Sequence, residues 1–327
     1  MSADDEVDPF EMLAGGFAEE PSVDPPRATG PLRGRECKRE KQVAEAGAAC
    51  GDRFVTYAAG GMQGWRRTME DTHVVVQLPN GAACFAVFDG HGGPGVAKRV
   101  AEMFPEKICA AIPFDGDMVA GLHSCFGAID MELRAEGASL GTDTENAYDT
   151  VGTTALVVIV HNSTVTCAHL GDSIAIYADN GVAMRLNGPD HKPDLPQERA
   201  RIEAQGGVVD VVNGSYRIDG GLNVSRAFGD FRDKDASQPM DQTKIIPVPE
   251  ILVTEVSQTT EYVMLACDGI FELLDIPTLD AIIRPSLGGS LTTVVEQLLD
   301  TACTSDPEAS AMKGTDNETV ILIRMQG

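Results

Sequence analysis

Three strongly apolar runs, residues 84–88, 262–267 and 319–323, each lie against a carboxylate or amide: Asp89 follows the first, Asp268 follows the second, and Asn317 stands just before the third. Runs of this length bounded by turn formers read as buried strands. Five short segments carry the acids: Glu70-Asp71, Asp89-Gly90-His91-Gly92-Gly93, Gly171-Asp172-Ser173, Asp268-Gly269 and Asp316-Asn317. An Asp-Gly pair alone is only a turn. Strands that end in acids on a shared rim are different, because they gather the oxygen ligands that a pair of hard divalent cations requires.

The chain has 327 residues, enough for one large core beside a tail. Fifty acidic against 25 basic residues leave a net charge of -25, which disfavours nucleic acid and anionic lipid as partners. The same charge repels a phosphorylated substrate unless cations or a local arginine reverse the sign. Eight cysteines, at 37, 50, 84, 109, 125, 167, 267 and 303, include no C-x-x-C pair, and several lie inside apolar runs. They read as buried reduced thiols and not as a disulfide or zinc framework. No apolar run has the length of a signal-peptide core or a membrane span, and Met1-Ser2 lacks the glycine for myristoylation. A cytoplasmic compartment, with the nucleus as a second, fits these features. Sequons occur at Asn162, Asn213, Asn223 and Asn317, and a glycan on the last would sit on the proposed rim.

Residues 1–50 combine proline, glycine and charge and are expected to form a mobile tail, with a helix conceivable over 36–49 and a basic cluster over 33–41. Residues 51–327 are expected to form the domain. Strand-type runs group over 54–88, 155–186 and 245–325. Helical spacing appears over 94–111, where Val96, Val100, Met103 and Ile108 share a face, and over 117–134 and 291–303. Hairpins outnumber β-α-β alternations, so the expected class is α+β with antiparallel sheets. There is no internal repeat, and nothing implies an obligate oligomer, so a monomer is the default.

Nine blocks stand in order along the chain: Gly64-Trp65-Arg66, Met69-Glu70-Asp71, Phe88-Asp89-Gly90-His91-Gly92-Gly93, Gly152-Thr153-Thr154-Ala155, Leu170-Gly171-Asp172-Ser173, Asp190-His191-Lys192-Pro193, Ser225-Arg226-Ala227-Phe228-Gly229-Asp230, Ala266-Cys267-Asp268-Gly269 and Asp316-Asn317. Each is weak alone. As an ordered set spanning about 54–325 they resemble the metal-dependent (type 2C, PPM) serine/threonine protein phosphatases. The resemblance implies a four-layer α-β-β-α sandwich of two antiparallel sheets with a binuclear Mg2+ or Mn2+ centre at one end. It implies that residues 51–327 are the catalytic domain. It further implies hydrolysis of phosphoserine and phosphothreonine in phosphoproteins by a hydroxide bridging the two metals.

Carried over position by position, the resemblance makes Asp89 the bridging ligand. Glu70 and the Gly90 carbonyl would hold one metal, and Asp268 and Asp316 the other. Arg66 matches the arginine that grips the phosphate, and His91 the proposed general acid. Asp71 and Asn317 would orient waters or neighbouring ligands, and Asp172 matches a ligand of a weaker third metal seen in some members. Residues 190–221 match a flap beside the active site.

The residue chemistry agrees with that assignment. Four carboxylates offset two divalent ions, leaving a near-neutral centre that a phosphate dianion can approach. Oxygen-only ligation suits Mg2+ or Mn2+ better than Zn2+, and the absence of a C-x5-R loop removes a cysteine nucleophile. Arg66 could bind two phosphate oxygens at once. The bland alternatives are a surface salt bridge for Arg66, a structural histidine at 91, and turn or cap chemistry for each acid. His73, His123, His161, His169 and His191 show no metal-ligand spacing and read as structural.

Three positions depart from the family pattern. Ile174 stands where an arginine is common, Glu272 where an aspartate is usual, so that a third-metal ligand would be one methylene longer, and 213–222 is longer than typical. A scaffold protein that has lost catalysis, and a metal-dependent nuclease, are the competing classes. Retention of the carboxylates opposes the first and the charge of -25 the second.

Overall fold

The computed structural model describes residues 35–114, 116–142 and 146–325. Two antiparallel sheets form its centre. One has the strand order Lys38–Cys50, Arg53–Gly64, Glu318–Met325, Thr260–Ala266, Ile174–Asp179, Val182–Arg185. The other runs Glu250–Glu255, Thr164–Leu170, Ala155–His161, Ala83–Phe88, Thr72–Gln77. All of their pairings are antiparallel, as hairpin-rich sequence predicts.

The strand Ala83–Phe88 shows why apolar runs, and not alternating ones, mark the centre. All six residues are buried. Phe85 and Val87 point into the core between the sheets with Tyr57, Leu156, Leu265 and Ile321. Cys84, Ala86 and Phe88 point the other way, toward Phe104 and Phe126, on the helices Gly95–Ala111 and Met118–Leu140. A strand with a core on both faces has no solvent side to mark with polar residues. Across the other sheet, Leu279, Ile283, Val295 and Leu298 of the helices Ile276–Ile283 and Leu291–Ala302 cover Ala58, Met264 and Leu322. The layers are therefore helix, sheet, sheet, helix, matching the expected sandwich. Edge-on rings of Tyr57 and Phe85, 5.2 Å apart, join the two sheets at their centre.

The three helices expected from spacing are present, as Gly95–Ala111, Met118–Leu140 and Leu291–Ala302. The segment before position 50 corrects the sequence reading. Residues 38–50, assigned there to a tail with a helix over 36–49, form a 13-residue edge strand paired to Arg53–Gly64. Its alanines favour a helix in isolation, but pairing with the neighbouring strand overrides intrinsic propensity. The tail reading for 1–34, and the first two residues of the basic cluster, lie outside the described residues.

The segment 190–221 carries a helix, Pro196–Ala204, and a hairpin, Val209–Val212 with Ser215–Ile218. Ile202, Val209, Ile218, Ala227 and Ile245 give it a small core of its own. Glu198, fully buried, anchors it: the carboxylate takes Arg226 at 2.7 Å, Arg201 at 2.8 Å and the Ser225 hydroxyl at 2.6 Å. No described helix is long and apolar enough to cross a membrane.

Candidate metal centre

Asp89 leaves the strand Ala83–Phe88 and is gripped by Thr154, whose N–H donates to the Asp89 carbonyl at 2.9 Å while its hydroxyl accepts from the Asp89 N–H at 3.3 Å. Asp268 follows the strand Thr260–Ala266 and opens the short helix Asp268–Phe271. Neighbouring Cys267 donates its N–H to the Thr319 carbonyl at 3.1 Å, which brings the Asp268 end beside the Asp316-Asn317 end. Asp172 sits in the turn after Thr164–Leu170. Carboxylate oxygens of Asp89, Asp172 and Asp268 all fall within 4.8 Å of one another. The fold thus gathers acids that are distant in sequence onto one end of the sandwich.

Glu70 approaches from the loop after Arg53–Gly64. Its carboxylate accepts from the Thr68 hydroxyl at 2.9 Å and the Gly93 N–H at 3.2 Å, and its own N–H donates to Asn317 Oδ1 at 2.9 Å. Gly90 passes so close that a Cβ there would lie 2.3 Å from the Glu70 carbonyl oxygen, so only glycine lets these backbones touch. Asn317 completes the seam, donating Nδ2–H to the carbonyls of Gln63 at 2.9 Å and Thr68 at 3.0 Å. Asp71 is buried behind it and accepts from Thr319 Oγ1 at 2.8 Å.

Two cations reach these acids, Arg66 through an ion pair to Asp316 and Lys192 through one to Asp172. The charge remains unbalanced. Burial first, then repulsion from Asp71, Asp268, Asp316 and Asp172, pushes the Asp89 carboxyl well above the usual range. Burial, Asp172 and Asp316 do the same to Asp268. Asp71 is raised to about 7 by burial and by Asp316. Desolvated carboxylates pressed together in this way are unfavourable as anions without a counter-ion. An oxygen-only donor set of this charge fits hard divalent cations.

His91 lies at the edge of the group in a small three-stranded sheet with Gly152–Thr153 and Phe228–Gly229. Its Nε2 is 2.7 Å from Asp230 Oδ2. Asp230, buried and left-handed at φ 53°, leaves its other carboxylate oxygen without a partner. Sequence reasoning quoted Asp230 in a motif without giving it this role. It likewise took Lys192 as the opening of the flap without foreseeing its bond to Asp172. Glu272 is committed to the neighbouring loop, its Oε2 accepting from Gly314 N–H at 2.6 Å and Thr315 N–H at 3.2 Å. Glu318, fully buried with its carboxylate beside the Cys303 thiol, was also unforeseen, standing just before the apolar run 319–323.

The structural reading of His169 and His191 agrees with their surroundings, although the fold places them against Glu250 as three groups able to approach one ion. Their rings stack 4.3 Å apart. The Gly171 N–H donates to His191 Nδ1 at 3.1 Å, which leaves the ring hydrogen on Nε2, facing Glu250 at 3.5 Å. A nitrogen that carries its hydrogen is not a metal ligand. Burial keeps both rings neutral, lowering His169 to about 4 and His191 to about 2.

The family profile described as Protein phosphatase 2C matches residues 55–310. Probable protein phosphatase 2C 4 of Paramecium tetraurelia is 36% identical over 288 residues, covering 84% of this chain and 93% of its own length. Protein phosphatase 2C homolog 3 of Schizosaccharomyces pombe is 36% identical over 281 residues, covering 83% of this chain and 65% of its own. Among solved structures, a serine-threonine phosphatase 2C from Toxoplasma gondii superposes with a TM-score of 0.70 at 20% identity, covering 87% of this chain and 99% of that one, and shares the fold. The ordered acids at one end of the sandwich and these relatives lead to one conclusion: the chain belongs to the protein phosphatase 2C family, and it is a metal-dependent protein phosphatase.

Proposed function

We propose that the chain hydrolyses phosphoserine and phosphothreonine in phosphoproteins, using two Mg2+ or Mn2+ ions held at the acidic rim. The observation that carries this reading is the convergence of Asp89, Asp172 and Asp268, with oxygens within 4.8 Å, next to Arg66 on Asp316. The chemistry the ions supply when bound is charge neutralisation and an acidified water able to attack phosphorus. Asp89 would be shared by both ions, Glu70 and the Gly90 carbonyl would complete one ligand set, and Asp268 and Asp316 the other. Asp71 and Asn317 would hold the ligand loops in register, and Asp172 would serve a third, weaker ion once Lys192 yields.

Arg66 is paired with Asp316. With that carboxylate serving as a ligand, the guanidinium would be free to bind two oxygens of a phosphoryl group and stabilise charge spreading through it. His91 would donate a proton to the leaving seryl or threonyl oxygen. With Asp230 accepting from Nε2, the proton given would be the one that Nδ1 carries in the doubly protonated ring.

The test is phosphate release from a phosphothreonine peptide by purified protein in EDTA, Mg2+ or Mn2+, beside Asp89→Asn and Asp268→Asn. The expected result is turnover that requires metal and falls by about 10³-fold in both folded variants. Turnover unchanged by either substitution would sink the proposal.

A further inference from the structure

The eight cysteines look scattered in sequence, yet the fold closes one pair. Cys37 Sγ and Cys303 Sγ stand 3.4 Å apart across 266 positions, the only sulfur–sulfur contact found among the described residues. Cys37 is half-buried and directly precedes the edge strand Lys38–Cys50, while Cys303 is buried and caps the C-terminal end of the helix Leu291–Ala302. The two ends are clamped beside each other. Arg39 donates to the Cys303 carbonyl at 3.0 Å and the Thr304 carbonyl at 3.1 Å, and Lys41 pairs with Asp300 at 2.8 Å.

We propose that Cys37 and Cys303 form an oxidisable pair, whose disulfide staples the N-terminal edge strand to the end of the helix that leads into the Asp316 loop.

A disulfide needs its sulfurs about 2.05 Å apart, so a little over 1 Å must close. Rotation of two unbranched side chains supplies movement of that size. The backbone at Cys37 can also give, because it lies just outside the edge strand Lys38–Cys50, whose register shifts between Lys38 and Lys41. The contrast with the other thiols is plain. Cys84, Cys125, Cys167 and Cys267 are buried in the layers of the core and have no sulfur partner at contact distance.

The step balances with a low-molecular-weight disulfide such as oxidised glutathione as the oxidant. Cys37, the more accessible thiol, loses its proton and attacks one sulfur of that reagent, releasing one small thiolate and leaving a mixed disulfide. Cys303 loses its proton and attacks the Cys37 sulfur, forming the Cys37–Cys303 bond and releasing the second small thiolate. Two protein thiols are oxidised, one small disulfide is reduced to two thiols, and the two protons end on those thiols.

The consequence is mechanical. The Thr304 carbonyl that follows Cys303 also accepts from Trp65 Nε1 at 3.0 Å, one residue before Arg66. A staple at Cys303 would therefore hold the edge strand, the helix end and the Arg66 segment as one unit. It closes a very long loop, the case in which a cross-link most restricts the unfolded chain.

The experiment incubates the full chain with oxidised glutathione, alkylates free thiols, and maps peptides without reduction, alongside Cys37→Ser. The expected result is a Cys37–Cys303 linked peptide that disappears with dithiothreitol, and a melting temperature raised by several degrees in the oxidised native chain but not in Cys37→Ser. Recovery of Cys37 only as a stable glutathione adduct with Cys303 still alkylated would overturn the pairing. A melting shift equally large in Cys37→Ser would overturn the staple.

Discussion

His91 and Asp230 meet at 2.7 Å with no room beneath them. A Cβ on Gly152 would lie 2.1 Å from Asp230 Oδ2 and 2.5 Å from His91 Nε2, so the pair exists because position 152 has no side chain. If His91 supplies the leaving-group proton, the need for it depends on the leaving group. Gly152→Ala and Asp230→Asn should lower turnover of a phosphothreonine peptide by about 10²-fold. They should lower turnover of p-nitrophenyl phosphate far less, because a phenolate departs without protonation. Equal losses on both substrates would assign the pair to metal or substrate binding.

Lys192 competes with any cation for Asp172. Its ammonium pairs with that carboxylate, and the fields of Asp172 and Asp268 raise the affinity of Lys192 for its proton against the effect of burial. Lys192→Met should therefore reduce the Mn2+ concentration required for half-maximal activity, by roughly 3- to 10-fold given a unit charge close by in a partly solvated site. Calorimetric titration of Mn2+ into the variant checks this directly.

Metal removal should invert the usual response of stability to pH. An acid whose pKa is raised by folding holds more protons in the native state than in the unfolded one, so stability falls as pH rises between the two values. For Asp71 that window runs from 3.8 to about 7, and Asp89 and Asp268 are raised as well. In EDTA the denaturation midpoint should thus decline across this window. With saturating Mg2+ or Mn2+ the decline should vanish, since the carboxylates are neutralised by the ions. A midpoint that rises with pH in EDTA would contradict the electrostatics described above.

Glu198 offsets two largely covered cations at once. It holds Arg226 and Arg201, and these partners with Ser225 keep its carboxyl below the usual range in spite of burial. Glu198→Ala leaves both guanidinium groups facing a cavity, at a cost of about 3–5 kcal/mol measured by chemical denaturation. Because the segment 190–221 hangs on this carboxylate, and if it covers the site as the proposed function implies, peptide KM should rise more than kcat falls.

Acids that the fold clusters were legible before folding. The Asp89 and Asp268 positions announced themselves because an apolar run ending in Asp-Gly combines a strand with its stop. The apolar runs also marked strands with a core on both faces, as Phe85 and Cys84 show by pointing into different layers. The segment 38–50 misled, since alanine and charge are compatible with a helix and the strand arises from pairing to Arg53–Gly64. Glu318 was hidden because a lone carboxylate in a strand pattern suggests a solvent-facing position, whereas the sheet buries it.

By itself the sequence determined the chemistry on offer: a set of oxygen ligands, an arginine and a histidine beside them, strands to carry them, and a strongly acidic charge balance. The tertiary structure decided which side chains meet. His91 meets Asp230 across 139 positions, Lys192 meets Asp172 across 20, and Cys37 meets Cys303 across 266. Composition and periodicity report on local backbone preference and on which face is buried. Such pairs are set instead by how distant strand ends are brought together, through strand pairing and the seams of hydrogen bonds between loops, which no local pattern encodes.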